Sequence, residues 1–233
     1  MAIEPISLGI VPETSLALRP IAAIRILVGI SVIGILIYTY VIGIPAQGAN
    51  PFDYFGYFTN LTSLLTSLAL IATGVTAIGR GAAPEWLHAL RGVTVSCMII
   101  VALIYNLVVP GTGSAPPWVS VTLHAVFPLA LALDWLLIPD RPTLPWSRLW
   151  MVLPYPLLWL AVTLLRGATD GWVPYGFLLP ERGLMALTTT VLALMIALLA
   201  AGSLVWLGSR LPGAGRVRDS GRVRGVRRVR DSG

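Results

Sequence analysis

The sequence predicts an all-α polytopic membrane protein with six transmembrane helices and both termini on the cytoplasmic side. Three observations lead there. Only 11% of the residues are charged and 56% are hydrophobic, with a mean hydropathy of +0.83, whereas about a quarter of the residues of a soluble domain carry charge. Six apolar runs, 21–44, 56–79, 91–110, 118–139, 147–166 and 184–208, reach the roughly 20 residues that cross a hydrocarbon core. Proline and glycine punctuate the junctions, at Pro45, Gly81, Pro110-Gly111, Pro139 and Pro180, where the helices are expected to stop.

The chain divides into an N-terminal cytoplasmic segment (1–20), a six-helix body (21–209) and an Arg-rich tail (210–233). Glu4 and Glu13 precede the first run in place of the short basic flank of a signal peptide, so that run reads as a retained helix. Arginines set the orientation. Arg19 and Arg25 open the first run, Arg80 and Arg91 bracket the second loop, Arg141 and Arg148 the fourth, and only Arg166 and Arg182 fall on the alternate side. Loops rich in arginine stay in the cytoplasm, which places both termini there.

The tail holds eight of the sixteen basic residues, repeats RVRDSG at 216–221 and 228–233, and accounts for the whole formal net charge of +6. With the body balanced, the basic pI does not point to nucleic acid. A short charged repeat cannot bury a core and is expected to be disordered, while its position beside a membrane suits contact with anionic lipid. Cys97 is the single cysteine, so no intrachain disulfide forms. No cofactor or metal is expected: within the spans, His124 stands without the cysteine or carboxylate cluster that a metal site needs. The sequence does not disclose an oligomeric state.

Candidate chemistry starts at residues 51–67, PFDYFGYFTNLTSLLTS. Its aromatic opening belongs at a membrane interface, and Thr59, Thr62, Ser63, Thr66 and Ser67 share one helical face. That stripe also reads as a small-residue seam along which helices pack closely. Thr59 lies about four residues into the second run and His124 about six into the fourth, both counted from the outer end. At about 1.5 Å per residue the two reach a common depth. Asn106, near the outer end of the third run, and Arg166, closing the fifth, join the same level. An ionisable group within a span is a functional hypothesis by default.

The residue types imply acyl transfer. A threonine hydroxyl attacks a carbonyl once a base takes its proton, and neutral histidine is the usual base. Asn106, or the backbone N–H groups near Asn60, would stabilise an oxyanion, although Asn106 also reads as a helix-to-helix hydrogen bonder. Arg166 would receive a substrate carboxylate, beside Trp172 and Tyr175 of the aromatic loop DGWVPYGFLLP. Thr62, one turn deeper, stays open as an alternative nucleophile. On the inner side, Arg91, Asp134 and Arg148 form a second polar set, and His88 reads as a solvated loop residue.

These residues sit in segments similar to those of the androgen-induced six-pass membrane protein family, bacterial branch: FGYFTNLTSLL at 55–65, LRGVTV at 90–95, IYNL at 104–107, LHAVFPLALALDWLL at 123–137 and YPLLWLAVTLLRGATDGWVPYGFLLP at 155–180. The resemblance covers most of the membrane body and neither the tail nor the first twenty residues. It implies a hydrolase of fatty acid esters of hydroxy fatty acids in a bacterial cell membrane, with Thr59 as nucleophile and His124 as base, acting on a lipid ester. The chain departs from the pattern at Thr62 and Ser63, where an asparagine is common, and at Gly176, where many relatives carry proline. The competing expectation is a non-catalytic lipid-binding or transport protein that uses the same outer-leaflet pocket.

Overall fold

The computed structural model describes residues 13–80 and 83–212. Most of the N-terminal segment and the tail beyond residue 212 lie outside them. The described chain is helical, without strands. α1 (Glu13–Gln47) is followed by the single turn α2 (Pro51–Tyr54), then α3 (Phe58–Arg80) and α4 (Glu85–Leu107). The fourth span joins α5 (Pro117–Val121), a π-helical turn (Thr122–Val126) and α6 (Phe127–Leu137). A 3₁₀ segment (Trp146–Val152) leads into α7 (Pro154–Thr169), and α8 (Leu184–Gly208) closes the body. Six spans are long and apolar enough to cross a membrane, as expected, and the chain is an integral membrane protein.

Two boundaries differ from expectation. α1 runs through Pro45 to Gln47, because a proline within the last turn forfeits a single hydrogen bond. The helix ends instead at Gly48, whose φ of 82° suits a residue without Cβ. The third span begins at Glu85, earlier than residue 91, because Pro84 caps it in extended geometry. That shift draws His88 into the helix, where it is 5% exposed rather than solvated.

α4 is the central helix: every residue from Arg91 to Met98 is buried, polar Arg91, Thr94 and Ser96 included. α1 and α3 pack with almost no side chain between them. A Cβ on Gly29 would come within 2.8 Å of the Ser67 carbonyl, and one on Gly74 within 2.5 Å of the Ala22 carbonyl. Thr62, Ser63, Thr66 and Ser67 of α3 are all buried; the Ser67 backbone faces Gly29 of α1, Thr62 turns to Tyr155 of α7, and Thr66 and Ser67 donate back to the carbonyls of Thr62 and Ser63. Small residues let helices approach in a medium that supplies no hydrophobic drive between them. Large apolar side chains such as Leu27, Ile37, Leu158, Leu165 and Leu204 face outward, where lipid would surround them.

One end of the bundle gathers charge inside. Arg25 of α1 reaches Asp134 of α6 (2.9 Å) and holds both oxygens of Asp140, just past α6. Arg91 of α4 reaches Asp134 (2.7 Å) and Asp140 (3.2 Å). Two guanidiniums and two carboxylates cancel, which is the condition for burying them. His88 completes the group, its Nδ1 3.3 Å from Arg91 Nη1. The Arg91 and Asp134 pairing was legible in the sequence. Arg148 stands apart from the cluster: it is exposed and meets Glu85 at 4.0 Å. Arg141 caps two helix ends nearby, donating to the carbonyls of Leu136 and Ile138 and to those of Gly208 and Leu211.

Candidate functional site

At the opposite end a cavity of about 790 Å³ opens among all six spans. Thr59 and His124 both line it, with Asn60, Tyr105, Trp172 and Tyr175. Thr39 to Gln47 of the first span and Leu194 to Leu198 of the last contribute to its wall as well.

Thr59 stands in the first turn of α3, where backbone N–H groups lack helical partners and carry the positive end of the dipole. The phenol of Tyr175 lies against its hydroxyl and against the N–H groups of Phe58 and Thr59. Burial pushes that phenol up to about 12, and those contacts only partly offset the shift, so Tyr175 stays protonated at neutral pH. Asn60 donates its Nδ2 to the Tyr54 carbonyl (2.8 Å), which fastens the α2 turn to α3. Thr62 is the weaker candidate: it is 0% exposed, it bonds the Tyr155 hydroxyl at 2.8 Å, and it does not line the cavity.

His124 sits in the π-helical turn, and the sequence explains why the helix widens there. An α-helix would bond the His124 carbonyl to the N–H of residue 128, but Pro128 has none and its ring would crowd that carbonyl. The backbone instead makes the wider bond from Phe127 N–H to the Thr122 carbonyl. The His124 carbonyl, which Pro128 cannot serve, accepts from Asn106 Nδ2 at 3.1 Å. Asn106 also bonds the Ala102 carbonyl (2.8 Å) and does not line the cavity, so it braces the histidine backbone and is not positioned as an oxyanion donor.

The imidazole is oriented on two sides. Its Nδ1 lies 2.9 Å from the Ser120 carbonyl; a carbonyl only accepts, so Nδ1 carries the proton and Nε2 presents the lone pair. Its face stacks on Tyr105, with ring centroids 3.5 Å apart and planes 12° from parallel. Neither Ser120 nor Tyr105 was singled out from sequence. Tyr105 precedes Asn106 in IYNL and was open to notice, whereas a backbone carbonyl leaves no trace in residue type.

Arg166, expected to receive a substrate carboxylate, stands in the structure among acidic and aromatic partners. Its guanidinium donates to Asp53 (2.7 Å) and to Asp170 (3.0 Å), and it covers the Trp172 ring at 4.2 Å. It does not line the cavity, and two carboxylates already occupy its edges. It builds the loop instead. Gly171, with φ of 74°, ends α7, and its N–H returns to the Arg166 carbonyl at 3.0 Å. Asp170 accepts from the Trp172 N–H at 2.9 Å. The outcome is a Trp172 packed on bare backbone at Gly56, where a Cβ would stand 2.3 Å from its ring.

The chain matches no protein-family model, no curated protein and no solved structure.

Proposed function

We propose that this protein is an intramembrane hydrolase of lipid esters, with Thr59 as the nucleophile and His124 as the general base. One observation carries the reading: a threonine at a helix N-terminus and a histidine whose Nδ1 is engaged by the Ser120 carbonyl, from separate spans, line one cavity. The resemblance of FGYFTN and LHAVFPLALALDW to the six-pass hydrolase family agrees with it, as does the arginine distribution, which turns the cavity end outward.

In the proposed reaction His124 Nε2 takes the Thr59 proton as Oγ1 bonds to the ester carbonyl carbon. In this reading the Tyr175 hydroxyl, which lies against Thr59, would donate to the developing oxyanion. The carbon–oxygen ester bond then breaks and the imidazolium returns its proton to the departing alkoxide. Water attacks the acyl-threonine, giving one proton to Nε2; the fatty acid leaves, and that proton restores the Thr59 hydroxyl. Asn106 and Ser120 act as positioning groups by fixing the histidine backbone and ring.

A fluorophosphonate probe on detergent-solubilised membranes tests the pair. Wild type is expected to label, and Thr59→Ala and His124→Ala to lose labelling by about 100-fold or more, the scale of base and nucleophile contributions. Undiminished labelling of both variants contradicts the assignment.

A further inference from the structure

The wall of the cavity is uneven. Every residue that α7 and α8 contribute to it is apolar or aromatic: Pro156, Trp159, Leu160, Leu194, Met195 and Leu198. Trp159 spends its one polar atom on the Gly56 carbonyl, at 2.8 Å. The opposite side, built by α1, the 109–116 connection and the fourth span, carries polar residues along its length, among them Thr39, Gln47, Thr112, Ser114, Ser120 and His124. Thr59 stands between the two. Successive helical residues turn by about 100°, and its neighbours point apart. Phe58 packs on Tyr155 and Trp159 of α7, with ring centroids 5.5 and 5.0 Å away. Asn60 donates to the Tyr54 carbonyl, and the Tyr54 hydroxyl reaches Thr39 and the Leu36 carbonyl of α1. The α7–α8 side has a closed end. Leu160 and Leu198 are buried, and one turn beyond Leu198 a Cβ on Gly202 would stand 3.1 Å from Val152 and 3.2 Å from Leu149, so the packing there leaves no room for a chain to continue.

In the proposed reaction the departing alkoxide takes its proton from His124, so the alcohol half of the ester lies on the histidine's side of Thr59. The acyl chain falls to the other side, where a hydrocarbon strips no polar group of its partners. Thr59, the first turn of α3 and the Tyr175 hydroxyl meet at the junction, where the ester group itself would sit. We infer that the α7–α8 side is the acyl pocket and the side formed by α1 and the fourth span is the alcohol pocket. This inference rests on the proposal that the cavity is a lipid-ester site and adds the direction in which the ester lies.

Two isomeric esters separate the sides: ethyl palmitate carries its long chain on the acyl half, hexadecyl acetate on the alcohol half. The ratio of their kcat/KM values is measured on the full-length protein in detergent. Leu194→Trp fills the α7–α8 side and is expected to lower the ratio of ethyl palmitate to hexadecyl acetate by about tenfold or more, the scale on which a filled apolar pocket discriminates. Met195→Trp repeats the test should Leu194→Trp not fold. At Gly43 of α1 a Cβ would meet only the Gln47 side chain, at 3.9 Å, so Gly43→Leu narrows the opposite side and is expected to raise the ratio by about threefold or more. A ratio that rises in the α8 variants, falls in Gly43→Leu, or is moved from neither side overturns the inference. A second measurement needs no turnover. Ethyl palmitate bearing a diazirine at the end of its acyl chain is photolysed on the Thr59→Ala protein, and the adduct is expected on the α7 or α8 peptide that contains Leu160 or Leu198; an adduct on residues 39–47 of α1 contradicts the inference. If wild type cleaves neither ester while the adduct still falls on α7 or α8, the hydrolase reading falls and the placement of the chain stands.

Discussion

At the scale of single residues, the decisive feature is how little of His124 is free to move. Its carbonyl, its Nδ1 and its ring face each have a partner, supplied by Asn106, Ser120 and Tyr105, and Pro128 is the reason that the first of these is needed. Two substitutions separate geometry from stability. Asn106→Ala leaves a carbonyl unpaired in an apolar surround and is expected to cost about 1–3 kcal/mol and to lower ester hydrolysis at least tenfold. Pro128→Ala restores an N–H for that carbonyl, so thermal stability in detergent is expected to hold or rise while hydrolysis still falls, because the π-helical turn relaxes and the ring turns. Parallel loss of stability in both variants would show that Pro128 is not what shapes the turn. That Thr59 and His124 line one cavity was legible at this scale, because an imidazole is rare inside a span and depth follows from counting. The role of Arg166 was not legible. Asp53 lies 113 positions away, and nothing in local sequence shows that it arrives there.

At the scale of elements, the bundle is pinned at two places of opposite chemistry. Where α1 meets α3, glycine and hydroxyl residues remove bulk. Where α1, α4 and the end of α6 meet, buried Arg25 and Arg91 and half-buried Asp134 and Asp140 form a neutral square. Asp140→Asn leaves two guanidiniums facing one carboxylate and is expected to destabilise by about 3–5 kcal/mol, read by thermal unfolding. Replacing Arg25 and Asp140 together by apolar residues of similar size is expected to cost less than Asp140→Asn alone. Burial opposes ionisation of Asp140, but Arg91 and Arg25 outweigh it and hold its carboxyl below the usual carboxylate range. A depressed carboxyl stabilises the fold above its unfolded value of about 3.9, and that contribution fades as pH falls through the lower folded value. The wild type is therefore expected to keep its unfolding temperature down to about pH 4 and lose it below, with a weaker acid dependence in Asp140→Asn. Arg91 and Asp134 were visible as partners from sequence. Arg25 was absorbed into the topology count, and Asp140 sits past Pro139 outside any span, so neither announced itself as the missing half.

At the scale of the molecule, an apolar exterior surrounds a mostly apolar core, with a cavity at one end and a charge cluster at the other. Span number and class followed directly from composition, since lipid requires helices of a set length. The cavity did not: its walls come from six spans that meet only in three dimensions. Topology is open to direct test because Cys97 is buried and leaves a clean background. Ser114→Cys, beside the cavity, is expected to react with a membrane-impermeant maleimide on intact cells, and Ser232→Cys only after lysis; the reverse pattern would invert the orientation and place the cavity in the cytoplasmic leaflet.

The central claim, that Thr59 carries the acyl group, is tested most directly by trapping. The protein is quenched in acid during turnover of a neutral fatty ester and its peptides are read by mass spectrometry. The account predicts an acyl adduct on the peptide containing Thr59, absent from Thr59→Ala. An adduct on another residue, or one that persists in Thr59→Ala, would contradict it.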